Sequence, residues 1–180
     1  MISLVIADAS ACGKGVFTSQ AIRKGDFICL LDGVTITLGQ LVERVLAGSE
    51  AMNDPLQIGK KTYLDLDDFS RTFNHSCDPN AGLRKRSELF ALHDIEAGEQ
   101  ITFDYSATVS PTEWSMECMC GSLKCRKIIR DIRSIPRGQL QIYKKAGAIQ
   151  RYMKPLLKSI EEGAYAVPDY ELKALRKLGY

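Results

Sequence analysis

The most informative stretch of the chain spans residues 71–80 and reads Arg71-Thr72-Phe73-Asn74-His75-Ser76-Cys77-Asp78-Pro79-Asn80. Asparagine, histidine and serine in a row before a proline predict a turn whose polar groups need partners wherever they are buried. A self-satisfied loop is the alternative interpretation. The turn also carries a thiol, Cys77, which can serve as a metal ligand.

A second group of thiols follows later in the chain, where Cys118, Cys120 and Cys125 form a C-x-C-x4-C cluster. Three clustered thiolates leave a tetrahedral zinc ion one ligand short, because a structural zinc site is normally closed by four protein ligands. Cys77 is the candidate for the fourth ligand, and four soft sulfur ligands suit Zn²⁺. A redox-active C-x-C pair is the alternative.

The composition of the chain sets mild bounds on its class. With 180 residues and 45% hydrophobic content, it can bury one substantial core, which predicts one main domain with an appendage. The net charge of +2 does not by itself indicate a nucleic-acid or membrane partner. The charge is uneven, since residues 1–130 carry −3 and residues 131–180 carry +5.

The apolar runs of the chain indicate its expected cellular location. The apolar run at residues 2–6 is too short for a signal peptide, and no stretch is long enough to cross a bilayer. We therefore expect an intracellular protein, cytoplasmic or nuclear, with no membrane partner. Its thiols should be metal-bound or free, and Cys12 and Cys29 should pack in the core.

Local patterns predict a strand-rich body followed by a helical tail. Short strands are expected at residues 4–6, 27–31, near Leu64, 89–92 and 100–103. The form I-x-x-G occurs at Ile22 and again at Ile95, which predicts two similar turns. A helical insertion is expected from residue 38 to about 51. The tail predicts helices interrupted near Gly147 and Pro155, with Asp169 capping a last helix.

These motifs carry a resemblance to one family. Residues 71–80 resemble the R-x-x-N-H-S-C-x-P-N signature of SET-domain lysine methyltransferases. Residues 99–105, Glu99-Gln100-Ile101-Thr102-Phe103-Asp104-Tyr105, are similar to the second signature of that family, G-E-E-L-T-F-D-Y. The cysteines from 118 to 125 match the post-SET zinc motif of the family, and Gly13 to Phe17 are more weakly similar to its opening glycine turn.

The resemblance implies a fold and a division of the chain. We expect a mainly β protein with helical additions, namely the SET β-clip fold with a pseudoknot at the Asn74 loop. The SET domain should occupy residues 1–110 and the post-SET zinc segment residues 111–130. Residues 131–180 should form a helical, basic extension that the resemblance does not explain.

The resemblance also implies a cofactor, S-adenosylmethionine, and the residues that bind it. A glycine pair such as Gly13 and Gly15 alone indicates only a tight turn. Trp114 should cover the adenine ring, although packing against the zinc loop is at least as good an interpretation. The cofactor-binding residues expected from the resemblance are Lys14, Gly15, Arg71, Asn74, His75 and Trp114.

Tyr105 is the expected catalytic residue. Methyl transfer to an amine mainly requires aligned reactants and a dry channel, and a tyrosine hydroxyl at the base of that channel can orient the amine. Phe103 is the expected residue beside it in the lysine channel, and phenylalanine there predicts capacity for di- or trimethylation. The family often has a channel tyrosine where this chain has Leu31, so Leu31 is the third expected channel residue. Asp104 should be a structural hydrogen-bonding partner.

The leading hypothesis is an S-adenosylmethionine-dependent protein-lysine N-methyltransferase with structural zinc. Its substrate should be a protein lysine, on a histone or another protein. The alternative is a catalytically silent SET module that acts as a protein-binding scaffold, favoured by Leu31 and the basic tail. Direct nucleic-acid binding is not expected, because aromatic and basic residues do not interleave on one strand or helix. The sequence does not predict an oligomeric state.

Overall fold

The computed structural model describes residues 2–51 and 54–179, and short strands dominate its first two thirds. The strands are β1 (Leu4–Asp8), β2 (Lys14–Thr18), β3 (Phe27–Leu30), β4 (Gly33–Thr37), β5 (Leu56–Gly59), β6 (Thr62–Leu66), β7 (Asn74–His75), β8 (Ala81–Arg84), β9 (Glu88–Ala91), β10 (Thr102–Phe103), β11 (Ser115–Glu117) and β12 (Ile128–Arg130). All five predicted strands are present, although the one expected at 100–103 is limited to Thr102–Phe103.

The strands form several small sheets instead of one large one. Two sheets have three antiparallel strands, in the orders β3-β9-β8 and β4-β6-β5. Two are antiparallel pairs, β1-β2 and β11-β12, while β7 and β10 pair in parallel. The predicted mainly β class with helical additions is confirmed.

The predicted insertion is a helix, α1 (Leu38–Leu46), which is shorter than expected. The Thr37 side chain caps its start by accepting from the Gln40 N–H, and the Gln40 side-chain oxygen accepts from the Thr37 N–H, which completes a capping box. Ala47 is the C-cap of the helix, which ends there because the next residue, Gly48, takes a positive φ of 68°. Its buried face consists of Leu38, Leu41 and Val42.

Three helices follow in the extension: α2 (Arg137–Ala146), α3 (Met153–Glu161) and α4 (Asp169–Lys177). Gly147 ends α2 in the left-handed conformation, as predicted. Pro155 does not interrupt a helix, because it lies in the first turn of α3, where a backbone N–H is not needed. Asp169 is the first residue of α4 and not its cap, so its carboxylate complements the helix dipole. None of the helices in the described part of the chain could cross a membrane.

The two predicted I-x-x-G turns pair with each other. The Ile22 N–H donates to the Ile95 carbonyl at 2.8 Å, and the Ile95 N–H donates to the Ile22 carbonyl at 2.9 Å. Gly25 and Gly98 take φ values of 88° and 87°, which confirms the positive φ expected of both turns. The paired turns join β2, β3 and the segment before β10 around one core.

The apolar interior has a main core and three further clusters, one of which contains the cysteines. The main core is formed by strands of the body and includes Val16, Leu89 and Ile101, all fully buried. A second cluster packs α2 and α3 against Phe90 and Ala107 of the body. A third joins α4 to α1 and β6, where Ala174 packs with Leu38, Val42 and Tyr63. The extension is therefore part of the packed molecule and not a free tail.

Candidate functional site

The parallel pairing of β7 and β10 brings the two signatures side by side. Asn74 lies opposite Thr102, and His75 lies opposite Phe103. Asn80 reinforces the pairing, because its side chain donates to the Gln100 carbonyl at 2.7 Å and accepts from the Thr102 N–H at 2.9 Å. Two segments that are distant in sequence thus form one site.

Tyr105 lies directly after this strand pair and is held at both of its polar ends. Its hydroxyl donates to the Phe73 carbonyl at 2.8 Å, and its backbone N–H donates to Nδ1 of His75 at 3.2 Å. Burial raises the pKa of the Tyr105 phenol, so this group stays neutral in ordinary buffers. Because the hydroxyl proton is donated to the Phe73 carbonyl, the phenolic oxygen can take part in further hydrogen bonds only as an acceptor.

A cavity of about 460 Å³ opens beside Tyr105. Its walls include Tyr63, Phe73, Phe103, Tyr105 and Trp114, so aromatic rings line much of it. The Phe103 and Tyr105 rings lie 4.9 Å apart between centroids, which fixes one side of the cavity. A mostly apolar cavity of this size with a few polar groups in its walls is the usual form of a small ligand site.

Leu31, the third expected channel residue, does not line this cavity. Its side chain is only 2% exposed and lies in the main core, and it is not among the residues that line the cavity. The reason is local: the Leu31 N–H donates to the Ser87 carbonyl at 2.8 Å, and an apolar side chain gains most from full burial.

Two of the expected cofactor residues, Arg71 and Trp114, line the cavity. Arg71 is held there by ion pairs with Glu50, Asp54 and Asp65 and by a hydrogen bond from its Nε to the Leu66 carbonyl at 2.7 Å. Trp114 is half-buried and packs against the cysteine cluster, in keeping with the alternative interpretation of this residue. Among the described residues, the polar contacts of Arg71 and the backbone hydrogen bond of Trp114 go to groups other than the remaining expected cofactor residues.

The remaining cofactor candidates gather around β2 and β7 instead. The Asn74 side-chain amide donates to the Lys14 carbonyl at 2.8 Å, which ties the glycine turn to the Asn-His segment. A Cβ on Gly15 would stand 2.1 Å from Nε2 of Gln100 and 3.0 Å from Nδ2 of Asn74, so a side chain at this position would require the Gln100 amide to move. This Gln100 Nε2 is buried and finds no acceptor among the described residues.

The cysteines also gather, and His75 joins them. The ligand atoms of His75, Cys77, Cys118 and Cys120 all lie within 4.8 Å of one another. Cys77 and Cys118 have their sulfurs 3.7 Å apart. Burial raises the pKa of the Cys120 thiol, but hydrogen bonds from the backbone of Cys77 and Ser122 outweigh it and lower that pKa to about 7. The group could hold a soft metal ion.

His75 belongs to this group, whereas Cys125, the predicted fourth ligand, lies beside it. The state of the His75 ring therefore decides whether it could bind a metal ion in place of Cys125. Burial, helped by the nearby Arg126 charge, lowers the pKa of His75 to about 3, so the ring is neutral. Its Nδ1 accepts from the Tyr105 N–H, which leaves the ring proton on Nε2, 3.2 Å from the Cys77 sulfur. In this tautomer His75 donates to sulfur and has no free lone pair for a metal.

Cys125 is close enough to complete the group in its place. Its sulfur lies 3.5 Å from the Cys118 carbonyl oxygen and 3.4 Å from the Lys127 nitrogen, and its side chain touches that of Cys118. All four predicted cysteines therefore meet in one cluster, which also contains Ile129 and Trp114.

Asp104 is buried between this cluster and the extension. Arg126 donates to its Oδ1 at 2.6 Å, and the Tyr143 hydroxyl donates to its Oδ2 at 3.1 Å. Burial raises the pKa of Asp104, and the Arg126 charge opposes that rise. The structural role predicted for Asp104 fits these contacts. Arg126, Tyr143 and Gln100 were not singled out from the sequence, because none stands out by spacing or type.

Comparison with known proteins agrees with these signatures. The family model described as "SET domain" matches residues 13–106, just over half of the chain. "Histone-lysine N-methyltransferase ASHR3" of Arabidopsis thaliana is 33% identical over 144 residues, which cover 73% of this chain and 29% of that protein. The chain spans less than a third of the length of the first curated relatives that it matches.

Solved structures share the fold at low identity. The methyltransferase domain of human "Histone-lysine N-methyltransferase SETMAR" has a TM-score of 0.59 at 21% identity, covering 73% of this chain and 59% of that one. KRYPTONITE, in complex with mCHH DNA, H3(1-15) peptide and SAH, has a TM-score of 0.54 at 23% identity, covering 72% and 30%. The resemblance drawn from the signatures is confirmed: the chain belongs to the SET domain family.

Proposed function

We propose that this chain is an S-adenosylmethionine-dependent protein-lysine N-methyltransferase, with Tyr105 as its catalytic residue. The observation that carries the proposal is the Tyr105 hydroxyl at the wall of an aromatic cavity, with its proton donated to the Phe73 carbonyl at 2.8 Å. The phenolic oxygen is then an acceptor of fixed direction. Such an oxygen can orient an amine N–H and favour positive charge nearby.

The chemistry needs few groups from the protein. S-adenosylmethionine would supply a methyl group on a positively charged sulfur. The cavity would take the aliphatic part of a lysine between its aromatic walls and exclude water. Desolvation there would lower the pKa of the lysine amine and favour its neutral form, the nucleophile. His75 would not act as a base, because its ring proton lies on the nitrogen that faces Cys77.

The cofactor would bind where Gly15, Asn74 and Gln100 meet. The fit rests on the buried Gln100 Nε2, a donor that lacks an acceptor among the residues described and that lies in the space left by the missing side chain of Gly15. A carboxylate acceptor, such as that of the methionine part of the cofactor, would satisfy this donor. Lys14 and His75 remain proposed neighbours, and Arg71 and Trp114 would reach the cofactor from the cavity side.

Structural zinc would be held by Cys77, Cys118, Cys120 and Cys125. The donor set supports this, since four sulfurs meet in one cluster and the Cys120 thiol has a pKa of about 7. His75 would donate its Nε2–H to the Cys77 thiolate, as groups around a metal site commonly do. We also propose that the chain divides into a SET domain at residues 1–110, a zinc-binding segment at 111–130 and a helical extension at 131–180.

The substrate would be a lysine on a protein, and histone H3 is the first candidate. KRYPTONITE, which shares this fold, was solved with an H3(1-15) peptide and SAH. A histone substrate would place the protein in the nucleus, and another intracellular protein would place it in the cytoplasm. Phe103 at the cavity wall leaves room for a methylated amine, so we propose di- or trimethylation.

The test is methyl transfer from labelled S-adenosylmethionine to recombinant histone H3 and to total cell-extract protein, with calorimetry of cofactor binding in parallel. The expected result is label on lysine, located by mass spectrometry. Cofactor binding without any transfer would favour the alternative, a silent scaffold module. If the protein neither binds the cofactor nor transfers a methyl group, the proposal is contradicted altogether.

A further inference from the structure

The short 3₁₀ turn that begins with the proposed catalytic residue, Tyr105–Thr108, is held at both ends by the C-terminal extension. At its start, Tyr143 of α2 donates to Oδ2 of Asp104, the residue that caps the turn. At its end, the Tyr152 hydroxyl donates to the Thr108 carbonyl at 2.7 Å. Ala107, in the middle, packs in the second apolar cluster with α2 and α3.

The Asp104 carboxylate divides its two oxygens between different regions. Oδ1 accepts from Arg126 at 2.6 Å and from the Ser106 N–H at 3.1 Å, which is the capping bond of the turn. Oδ2 accepts from Tyr143 at 3.1 Å, its only donor among the described residues. Asp104 is 3% exposed and Tyr143 is 1% exposed, so the bond between them is shielded from bulk solvent, and loss of the hydroxyl would leave a buried carboxylate oxygen without its donor.

We propose that Tyr143 is a positioning residue for methyl transfer, which makes residues 131–179 a working part of the active site. The inference rests on the proposed function and deepens it. Without its second donor, the buried carboxylate of Asp104 would rotate toward Arg126 and loosen its bond to the Ser106 N–H. Tyr105 lies between Asp104 and Ser106, so its hydroxyl would lose its fixed direction.

Tyr143→Phe tests this role, because it removes one hydroxyl and keeps the packed ring. The expected result is a roughly tenfold fall in kcat, the size typical of a modest misplacement at a reacting centre. KM for the cofactor and for the protein substrate should stay within about twofold, because neither contacts Tyr143. An unchanged kcat, or a rise in KM that accounts for the whole effect, would overturn the proposal.

Tyr165→Phe is the matched control. Tyr165 also belongs to the extension, and its hydroxyl is buried without a hydrogen-bond partner among the described residues. Its removal should leave kcat unchanged. Both variants would be assayed at a temperature where thermal unfolding shows them fully folded. An equal fall in kcat in both variants would mean a general effect of the extension and would contradict a specific role of Tyr143.

Two further measurements separate this inference from the proposed function. In a double-mutant cycle, Asp104→Asn and Tyr143→Phe should together cost less than the product of their separate effects on kcat, because both act through one bond. If the two effects on kcat simply multiply, Tyr143 does not act through its hydrogen bond to Asp104. Hydrogen exchange of the Ser106 and Ala107 amides needs no methyl transfer and should speed up in Tyr143→Phe but not in Tyr165→Phe. If the wild type transfers no methyl group, the proposed function fails, and the exchange result alone decides for or against Tyr143.

Discussion

The cysteine cluster and the C-terminal extension meet the same buried carboxylate from opposite sides, and they differ in how the sequence encodes them. The cysteine side reaches Asp104 through Arg126, which also donates to the Cys77 sulfur from its N–H and its Nε, both at 3.3 Å. The extension reaches Asp104 through Tyr143. The spacing of the cysteines predicts the cluster beside Asp104, whereas nothing in the sequence around Tyr143 predicts its contact with that carboxylate.

The two sides also depend on different forces. The cysteine side is a sulfur-rich loop that the proposed zinc ion would hold together through its thiolates. The extension side is an apolar interface, in which Tyr143, Ile149 and Met153 are buried against Phe90 and Ala107. Changes to the cysteines should therefore lower the metal content, whereas changes on the extension side should alter stability or kcat and leave the metal content unchanged.

Cys77→Ser should have the largest effect, because it removes a thiolate from the Asn-His segment itself. Zinc content should fall well below one per chain, and methyl transfer should fall with it to a small fraction of wild type. Metal analysis and the transfer assay measure both. Cys29→Ser is the control, since Cys29 packs beside the main core and should keep zinc. Loss of activity with full zinc content would break the proposed link between the cluster and the site.

Arg126→Met should have the next largest effect, because it leaves the Asp104 carboxylate without its charged partner. Removing one member of a buried ion pair typically lowers the free energy of unfolding by about 3 kcal/mol. Chemical denaturation would measure it. Lys124→Met, in the same loop, removes an exposed pair with Asp78 and should change stability by less than about 0.5 kcal/mol. Equal effects of the two variants would show that the loop tolerates the loss of Asp104's partner.

Gly82→Ala should weaken the extension side and leave zinc in place. A Cβ on Gly82 would stand 2.8 Å from that of Ala148 and 3.1 Å from Leu92, so the body and the extension would be pushed apart. We expect a loss of about 2 kcal/mol in the free energy of unfolding. Gly138→Ala, on the exposed side of α2, has open space and should raise stability by about 0.5 kcal/mol. A stable Gly82→Ala variant would mean that the interface is loose.

Phe103→Tyr should have the smallest effect on the molecule and should act on the product alone. The side chain is 5% exposed at the cavity wall beside the Tyr105 ring, so an added hydroxyl can hold a water that crowds a methylated amine. The mass-spectrometric product distribution should shift toward monomethyl-lysine. Phe27→Tyr, at an exposed position, should leave it unchanged. A wild type that stops at one methyl group would contradict the role of Phe103.

The sequence predicts what is local or marked by a signature. Capping and apolar spacing are local, so the strands and the start of α1 were predicted well, and the paired signatures led to Asn74, His75 and Tyr105. Tyr143 lies 39 residues from Asp104, and their contact depends on how α2 packs, which no periodicity encodes. The burial of Leu31 in the main core, away from the cavity lining, was not predicted either, because a matching position along the chain does not fix which way a side chain faces.

The most direct test of the central claim is kcat for Tyr105→Phe, measured beside its cofactor affinity by calorimetry. The ring still packs in this variant, but the oxygen that faces the cavity is gone. We predict a fall in kcat of about a hundredfold with the cofactor Kd within about twofold, as expected when a transition-state contact is removed. A variant that transfers methyl groups at the wild-type rate would contradict the account.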